Sequence, residues 1–173
     1  MRLSDFKSTQ INLVKSEYDF DRLKLLFLEY AISIDFDLNY KDFLQEMASI
    51  SELYSPPTGI GFILSHHDRT VGGVGIMRGS NDTAVIKRLY TRAEFRHPEY
   101  IRQLISVATD WARQWGCRRL RANPSDIMIS AVKNLQPTGF REILMKANGT
   151  PLPSPLFEIK LAFSDEMLDR VAS

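Results

Sequence analysis

The sequence predicts an α/β (α+β) domain in which a mixed, mostly antiparallel central sheet carries helices on both faces. Three observations predict it. Three strand-like segments follow one another between Gly59 and Thr91, joined by polar turns. A long run from Ile101 to Trp115 holds the helical period. The last strand-like segment alternates Phe157, Ile159, Leu161 and Phe163 with polar or small residues, which buries one face only.

Taken in order, Gln10 to Lys15 alternates polar and apolar residues and reads as a first strand. Leu23, Leu26, Phe27, Tyr30, Ala31 and Ile34 form the buried face of a helix. A second helix runs from about Tyr40 to Ile50, and Pro56-Pro57 closes that region. Gly59 to Leu64 and Val71 to Arg78 form a hairpin around the polar turn Ser65 to Thr70, and Ala84 to Thr91 adds a third strand. After the helix ending at Gly116, Arg118 to Ala122 is a short strand. Asp126 to Asn134 is a helix with Ile127, Ala131 and Leu135 on one stripe, broken by Pro137 and Gly139. Phe140 to Met145 and Leu156 to Phe163 are the last strands, separated by a Pro/Gly-rich loop, and Ser164 to Ser173 reads as a short helix. With no repeat and no linker, residues 1–173 are expected to form one domain.

The bulk numbers exclude several classes of function. Twenty-two Lys+Arg against 21 Asp+Glu leave a net charge of +1, so neither nucleic acid nor an anionic membrane is an expected partner. The basic cluster Arg118-Arg119-Leu120-Arg121 reads as a solvated strand end. One cysteine, Cys117, makes neither an internal disulfide nor a Cys-rich zinc site, and its apolar setting predicts an inert buried thiol. His66-His67-Asp68 is half a metal site at best, because adjacent strand residues point apart and no third ligand follows; no metal is expected. Asp126, like Asp35 and Asp37, has no motif around it. A cytoplasmic protein without a secretory signal or membrane span is expected.

The segment Lys87-Arg88-Leu89-Tyr90-Thr91, followed by Arg92 to Arg96 and a long amphipathic helix, resembles the central strand-loop-helix of GNAT (GCN5-related N-acetyltransferase) enzymes. Thr138-Gly139-Phe140-Arg141 is similar to the family's Leu-Gly-Phe strand entry, and the element order matches from Ile11 to Phe163. The resemblance implies transfer of an acyl group from acetyl-CoA or another acyl-CoA to an amine of a small molecule or peptide. It implies that backbone groups of Leu89, Tyr90 and Thr91 pair with the pantetheine arm as an added strand. It also places the pyrophosphate against the loop and helix start formed by Arg96, His97, Tyr100, Ile101 and Arg102, where helix N–H groups attract anions. The first helices are then one wall of the acceptor pocket, with Tyr30, Phe36 and Arg78 as its candidate residues. Homodimerisation is left open.

Several positions depart from the family pattern. Glu99 and Ile101 stand where the phosphate loop has glycines, and Pro98 removes a backbone donor. Glu99 favours a helix start and repels a phosphate by roughly 1 kcal/mol. Replacing Glu99 and Ile101 by Gly is therefore expected to raise CoA affinity. Val85 stands where many members carry a glutamate general base, and Leu135 where many carry a tyrosine acid, so the catalytic groups are not assigned. Three readings stay open at this point: an acyltransferase with non-standard proton-transfer groups, a scaffold repurposed for a non-CoA reaction, and a non-catalytic binding module.

Overall fold

A computed structural model describes residues 8–34, 40–144, 146–147, 150–151 and 156–162. The elements are β1 (Thr9–Leu13), α1 (Glu17–Ser33), α2 (Tyr40–Ala48), α3 (Ile50–Leu53), β2 (Gly59–His66), β3 (Arg69–Arg78) and β4 (Thr83–Thr91). They continue with α4 (Pro98–Gln114), β5 (Arg119–Ala122), α5 (Ile129–Leu135), β6 (Arg141–Ile143), β7 (Lys146–Ala147), β8 (Thr150–Pro151) and β9 (Leu156–Lys160). Seven strands form one sheet in the order β1-β2-β3-β4-β5-β9-β6, and β7 pairs with β8 separately. Within the large sheet β4 and β5 run parallel, while the other neighbours are antiparallel. Among the described residues no helix is long and apolar enough to cross a membrane.

The two helical layers follow from the strand period. Phe62 meets Trp111 of α4 edge-on, with ring centroids 5.8 Å apart. The adjacent Gly61 faces the opposite way, where an added Cβ would lie 2.5 Å from Leu23 of α1. Successive residues of a strand point to opposite faces, so α1 and α4 cover opposite faces of the sheet. Gly73 and Gly75 of β3 continue the glycine-lined face: a Cβ on Gly75 would lie 2.1 Å from the Tyr54 ring. That bare strip lets α1 and Tyr54 approach the backbone closely. The apolar stripe of α4, with Tyr100, Ile101, Leu104, Ile105, Ala108 and Ala112, is buried against the other face.

Helix α1 begins with a capping box. The Ser16 hydroxyl accepts from the Asp19 N–H, and the Asp19 carboxylate accepts from the Ser16 N–H. Burial pushes the Asp19 carboxyl up, but hydrogen bonds from Ser16 and Lys15 outweigh this and hold it below its usual value. Ser16→Ala is expected to cost about 1 kcal/mol near neutral pH. A depressed carboxyl stabilises the fold above its unfolded pKa and loses that contribution as pH falls through the folded value. The cost of Ser16→Ala therefore shrinks as the pH falls through the folded carboxyl's range, which urea titrations at neutral and at acidic pH measure.

The elements expected from the sequence appear with several differences, and the helix expected from Tyr40 to Ile50 breaks after Ala48 into α2 and α3. The hairpin turn contracts to His67-Asp68, both at positive φ (45° and 63°), because the ladder continues through His66 and Arg69. The His66 and His67 rings meet with centroids 4.4 Å apart instead of diverging. The Pro/Gly-rich segment contributes the short β7–β8 pair. The helix expected from Asp126 begins at Ile129, for a reason that belongs to the site. The expected terminal helix lies outside the described residues.

Candidate active site

Strands β4 and β5 pair only from Thr83–Arg119 to Ile86–Ala122. Beyond Ala122 the chain leaves the sheet through Asn123 and a tight turn at Pro124–Asp126. It then returns beside the upper half of β4. Ile127 forms a parallel bridge with Leu89, and the Met128 N–H donates to the Leu89 carbonyl at 3.0 Å. The Thr91 N–H points at the Met128 Sδ, 3.5 Å away, and the Thr91 hydroxyl lies 3.8 Å from the same sulfur. Ile127 (φ −133°, ψ 147°) and Met128 (φ −62°, ψ 143°) are extended because they serve as a substitute strand, so helical geometry starts only after them.

The same stretch of β4 carries a bulge. Lys87 stands opposite Gly75 and Tyr90 opposite Gly73, so Arg88 and Leu89 together face Val74. Arg88 adopts φ 53°, an unusual value for a side-chain-bearing residue. The bulge lets Lys87, Arg88 and Tyr90 all reach the face covered by α1 and α2. Arg88 grips the Glu46 carboxylate of α2 at 2.6 and 3.2 Å and lies 3.4 Å from Asp126. Lys87 binds Asp126 at 2.9 Å, the Asn123 amide adds a bond at 3.1 Å, and the Tyr54 hydroxyl donates to Glu46 at 2.6 Å. The Arg88 guanidinium lies between the Tyr30 and Phe43 rings, 5.8 and 5.3 Å from their centroids.

This cluster sits almost wholly inside the protein: Arg88 is 6% exposed and Asp126 5%. Burial opposes the charge on Arg88, but the Glu46 hydrogen bond and the Glu46 and Asp126 charges outweigh it and hold the guanidinium above its ordinary range. Burial, joined by the Glu46 charge, pushes the Tyr54 hydroxyl well above its ordinary range. Tyr30 is likewise pushed up by burial against the opposing pull of Arg88. Both tyrosines therefore stay protonated and act as hydrogen-bond donors. Tyr30 donates to the Ser125 carbonyl at 2.5 Å, tying α1 to the turn that precedes Met128.

At the start of α4 the helix caps itself. His97 is the N-cap, and its Nδ1 accepts from the Glu99 N–H at 3.2 Å. The Tyr100 N–H goes to the His97 carbonyl, and Pro98 has no N–H. Glu99 is paired with Arg102 at 2.9 Å, so part of its repulsion toward an anion is already neutralised. Tyr100 and Ile101 are 0% and 1% exposed. Their side chains belong to the core. Arg96 is exposed and near Tyr90, whose hydroxyl is pushed up by burial and by Glu29 while Arg96 and Arg92 pull it down.

The sequence candidates thus divide. Leu89, Tyr90 and Thr91 lie together at the β4–β5 split, with His97, Tyr100, Ile101 and Arg102 at the start of α4. Tyr30 is at the split too, but fully buried, where it braces the turn at Ser125 instead of lining an open wall. Arg78 is not part of that wall. It pairs with Ala84 at the other end of the β3–β4 ladder, stacks on Trp115 at 5.4 Å and donates to the Trp115 carbonyl. Phe36 lies outside the described residues. Leu135 is buried in the core and Cys117 is a buried free thiol pushed up by desolvation, so neither supplies proton transfer or a nucleophile. The basic cluster is largely spent locally, Arg118 on Asp82, Arg119 on the Asn81 carbonyl and Arg121 on Glu158. Among the described residues no three His, Cys, Asp or Glu side chains gather to hold a metal.

Sequence reasoning missed Glu46, Tyr54 and Met128 and dismissed Asp126. The available signal was the pair Lys87-Arg88, two charges in an otherwise apolar strand that must find buried counter-ions.

A sheet splayed between two parallel strands, with a bulged strand and a long helix start beside the split, defines the acyltransferase class to which the sequence profile of the acetyltransferase (GNAT) family assigns residues 21–133. The chain belongs to that family, whose reaction is acyl transfer from coenzyme A. It is 27% identical over 133 residues to an uncharacterised N-acetyltransferase of Schizosaccharomyces pombe, covering 76% of this chain and 82% of that one. Its fold matches a GNAT-family acetyltransferase of Staphylococcus aureus at a TM-score of 0.71 and 18% identity, covering 88% and 100% of the two chains. It also matches the PaiA N-acetyltransferase of Thermoplasma acidophilum, solved in complex with coenzyme A, at a TM-score of 0.63 and 14% identity, covering 88% and 99%.

Proposed function

We propose that this protein transfers an acetyl group from acetyl-CoA to an amine of a small molecule or peptide, at the split between β4 and β5. The observation that carries the reading is that the family match spans α1 through α5 and so includes both sides of the split. In this reading the pantetheine arm lies along Leu89 to Thr91 and the phosphates lie near Arg96, His97 and Arg102. A cytoplasmic setting is part of the reading.

The reaction joins the amine nitrogen to the thioester carbonyl and releases a thiolate, so the amine loses a proton and the sulfur gains one. The tyrosines near the split remain protonated, which suits donation and not proton removal. Lys87 and Asp126 are engaged with each other, and Val85 is apolar. None of these three positions therefore offers the amine a free base. Release of free CoA thiol, followed with acetyl-CoA and a panel of amines, tests the function. Thiol release that depends on an added amine is expected; release indifferent to every amine contradicts transfer.

Glu99→Gln removes a carboxylate from the first turn of α4 and frees Arg102. An effect of about 1 kcal/mol corresponds to roughly fivefold tighter acetyl-CoA binding. Equal affinity in the two proteins would place the obstacle elsewhere in the loop.

A further inference from the structure

The upper edge of β4 is where the cofactor reading puts the pantetheine arm, and the chain's own backbone already lies along it. Leu89 and Thr91 present their polar groups on that edge, and each has a partner in Ile127–Met128: the Leu89 carbonyl takes the Met128 N–H, and the Thr91 N–H faces the Met128 sulfur. Met128 itself is 3% exposed, with its side chain packed into the split. The segment is held from outside by the Tyr30 bond to Ser125 and by the Lys87 and Arg88 contacts to Asp126.

We infer that Ile127–Met128 is a strap lying along the cofactor edge of β4, and that Met128 is the gate residue an acyl-CoA must displace. The inference rests on the cofactor reading above and adds to it which residue controls access. The chemistry of the exchange favours opening over a permanent block. A thioether is a weak acceptor, so the Thr91 N–H gains when an amide carbonyl replaces the Met128 sulfur. The Leu89 carbonyl exchanges one amide N–H for another, close to an even trade. What opposes binding is loss of the Met128 packing, and apparent affinity falls in proportion to the fraction of molecules with the strap open.

Amide hydrogen exchange on the wild-type chain, read residue by residue by NMR with and without saturating CoA, tests this without a variant. The Met128 amide is expected to lose protection when CoA binds while the Thr91 amide gains it. Met128→Ala, checked for folding by circular dichroism, is expected to bind CoA about tenfold more tightly, as removal of the side chain raises the open fraction. CoA binding that leaves Met128 protection unchanged, or equal affinity in a folded Met128→Ala, overturns the gate and leaves the cofactor reading standing. No amide responding to CoA in either protein overturns the cofactor reading, and the gate with it.

Discussion

Arg88→Met is expected to lower the stability of the protein by about 3 kcal/mol, a fall of roughly 10 °C in thermal midpoint for a chain of this size. The guanidinium is the counter-ion for Glu46, whose side chain is 14% exposed, and it supports Asp126 at 7%. Removing it leaves Glu46 with only the Tyr54 hydroxyl, while Lys87 and Asn123 still hold Asp126. That residual support sets the cost at the low end for a broken buried pair. Met keeps the unbranched stem of the side chain and removes the guanidinium, so the cost covers its hydrogen bonds and ring contacts as well as its charge. In a Glu46→Gln background, where the Tyr54 bond has an acceptor and no charge is stranded, the same substitution is expected to cost at least about 1 kcal/mol less. Chemical denaturation of the four proteins gives both numbers. A loss below about 1 kcal/mol in the single variant would show that the cluster does not brace the bulge.

Ile101→Gly is expected to cost about 4 kcal/mol in stability, a cost that the sequence did not show. Read as a loop position, residue 101 invites glycine to rebuild a phosphate cradle. In the fold its side chain is 1% exposed beneath the first turn of α4. Truncation opens a cavity worth about 2–5 kcal/mol, and glycine in a helix adds about 1 kcal/mol over alanine. Any gain in CoA binding is then offset by loss of the helix start that would make it. Thermal denaturation of Ile101→Gly beside Glu99→Gln separates the two positions: the first is expected to unfold at a markedly lower temperature and the second near wild type.

The layers of this fold were legible because each element carries its own period. The strand-like runs between Gly59 and Thr91, set off by polar turns, and the stripe on α4 are local patterns, and each survives into the structure with small shifts at its ends. The candidate site was marked in the sequence only by a backbone motif, at Leu89 to Thr91 and at the start of α4. The rest depends on contacts between residues distant in sequence. Arg88 meets Glu46 and Asp126 across about forty residues in each direction, and no spacing rule connects them. Met128 was invisible for a different reason: its side chain fits a helical stripe, while its role comes from a backbone bond to Leu89. Arg78 was misplaced because adjacency of strands says nothing about which end of a strand approaches the split.

Titration calorimetry with acetyl-CoA, carried to millimolar concentration, tests the central claim that the β4–β5 split is an acyl-CoA site. Saturable binding of one cofactor per chain, tightened by Glu99→Gln, is the expected result. Absence of heat and of saturation at that concentration, from a protein shown to be folded, would contradict the claim.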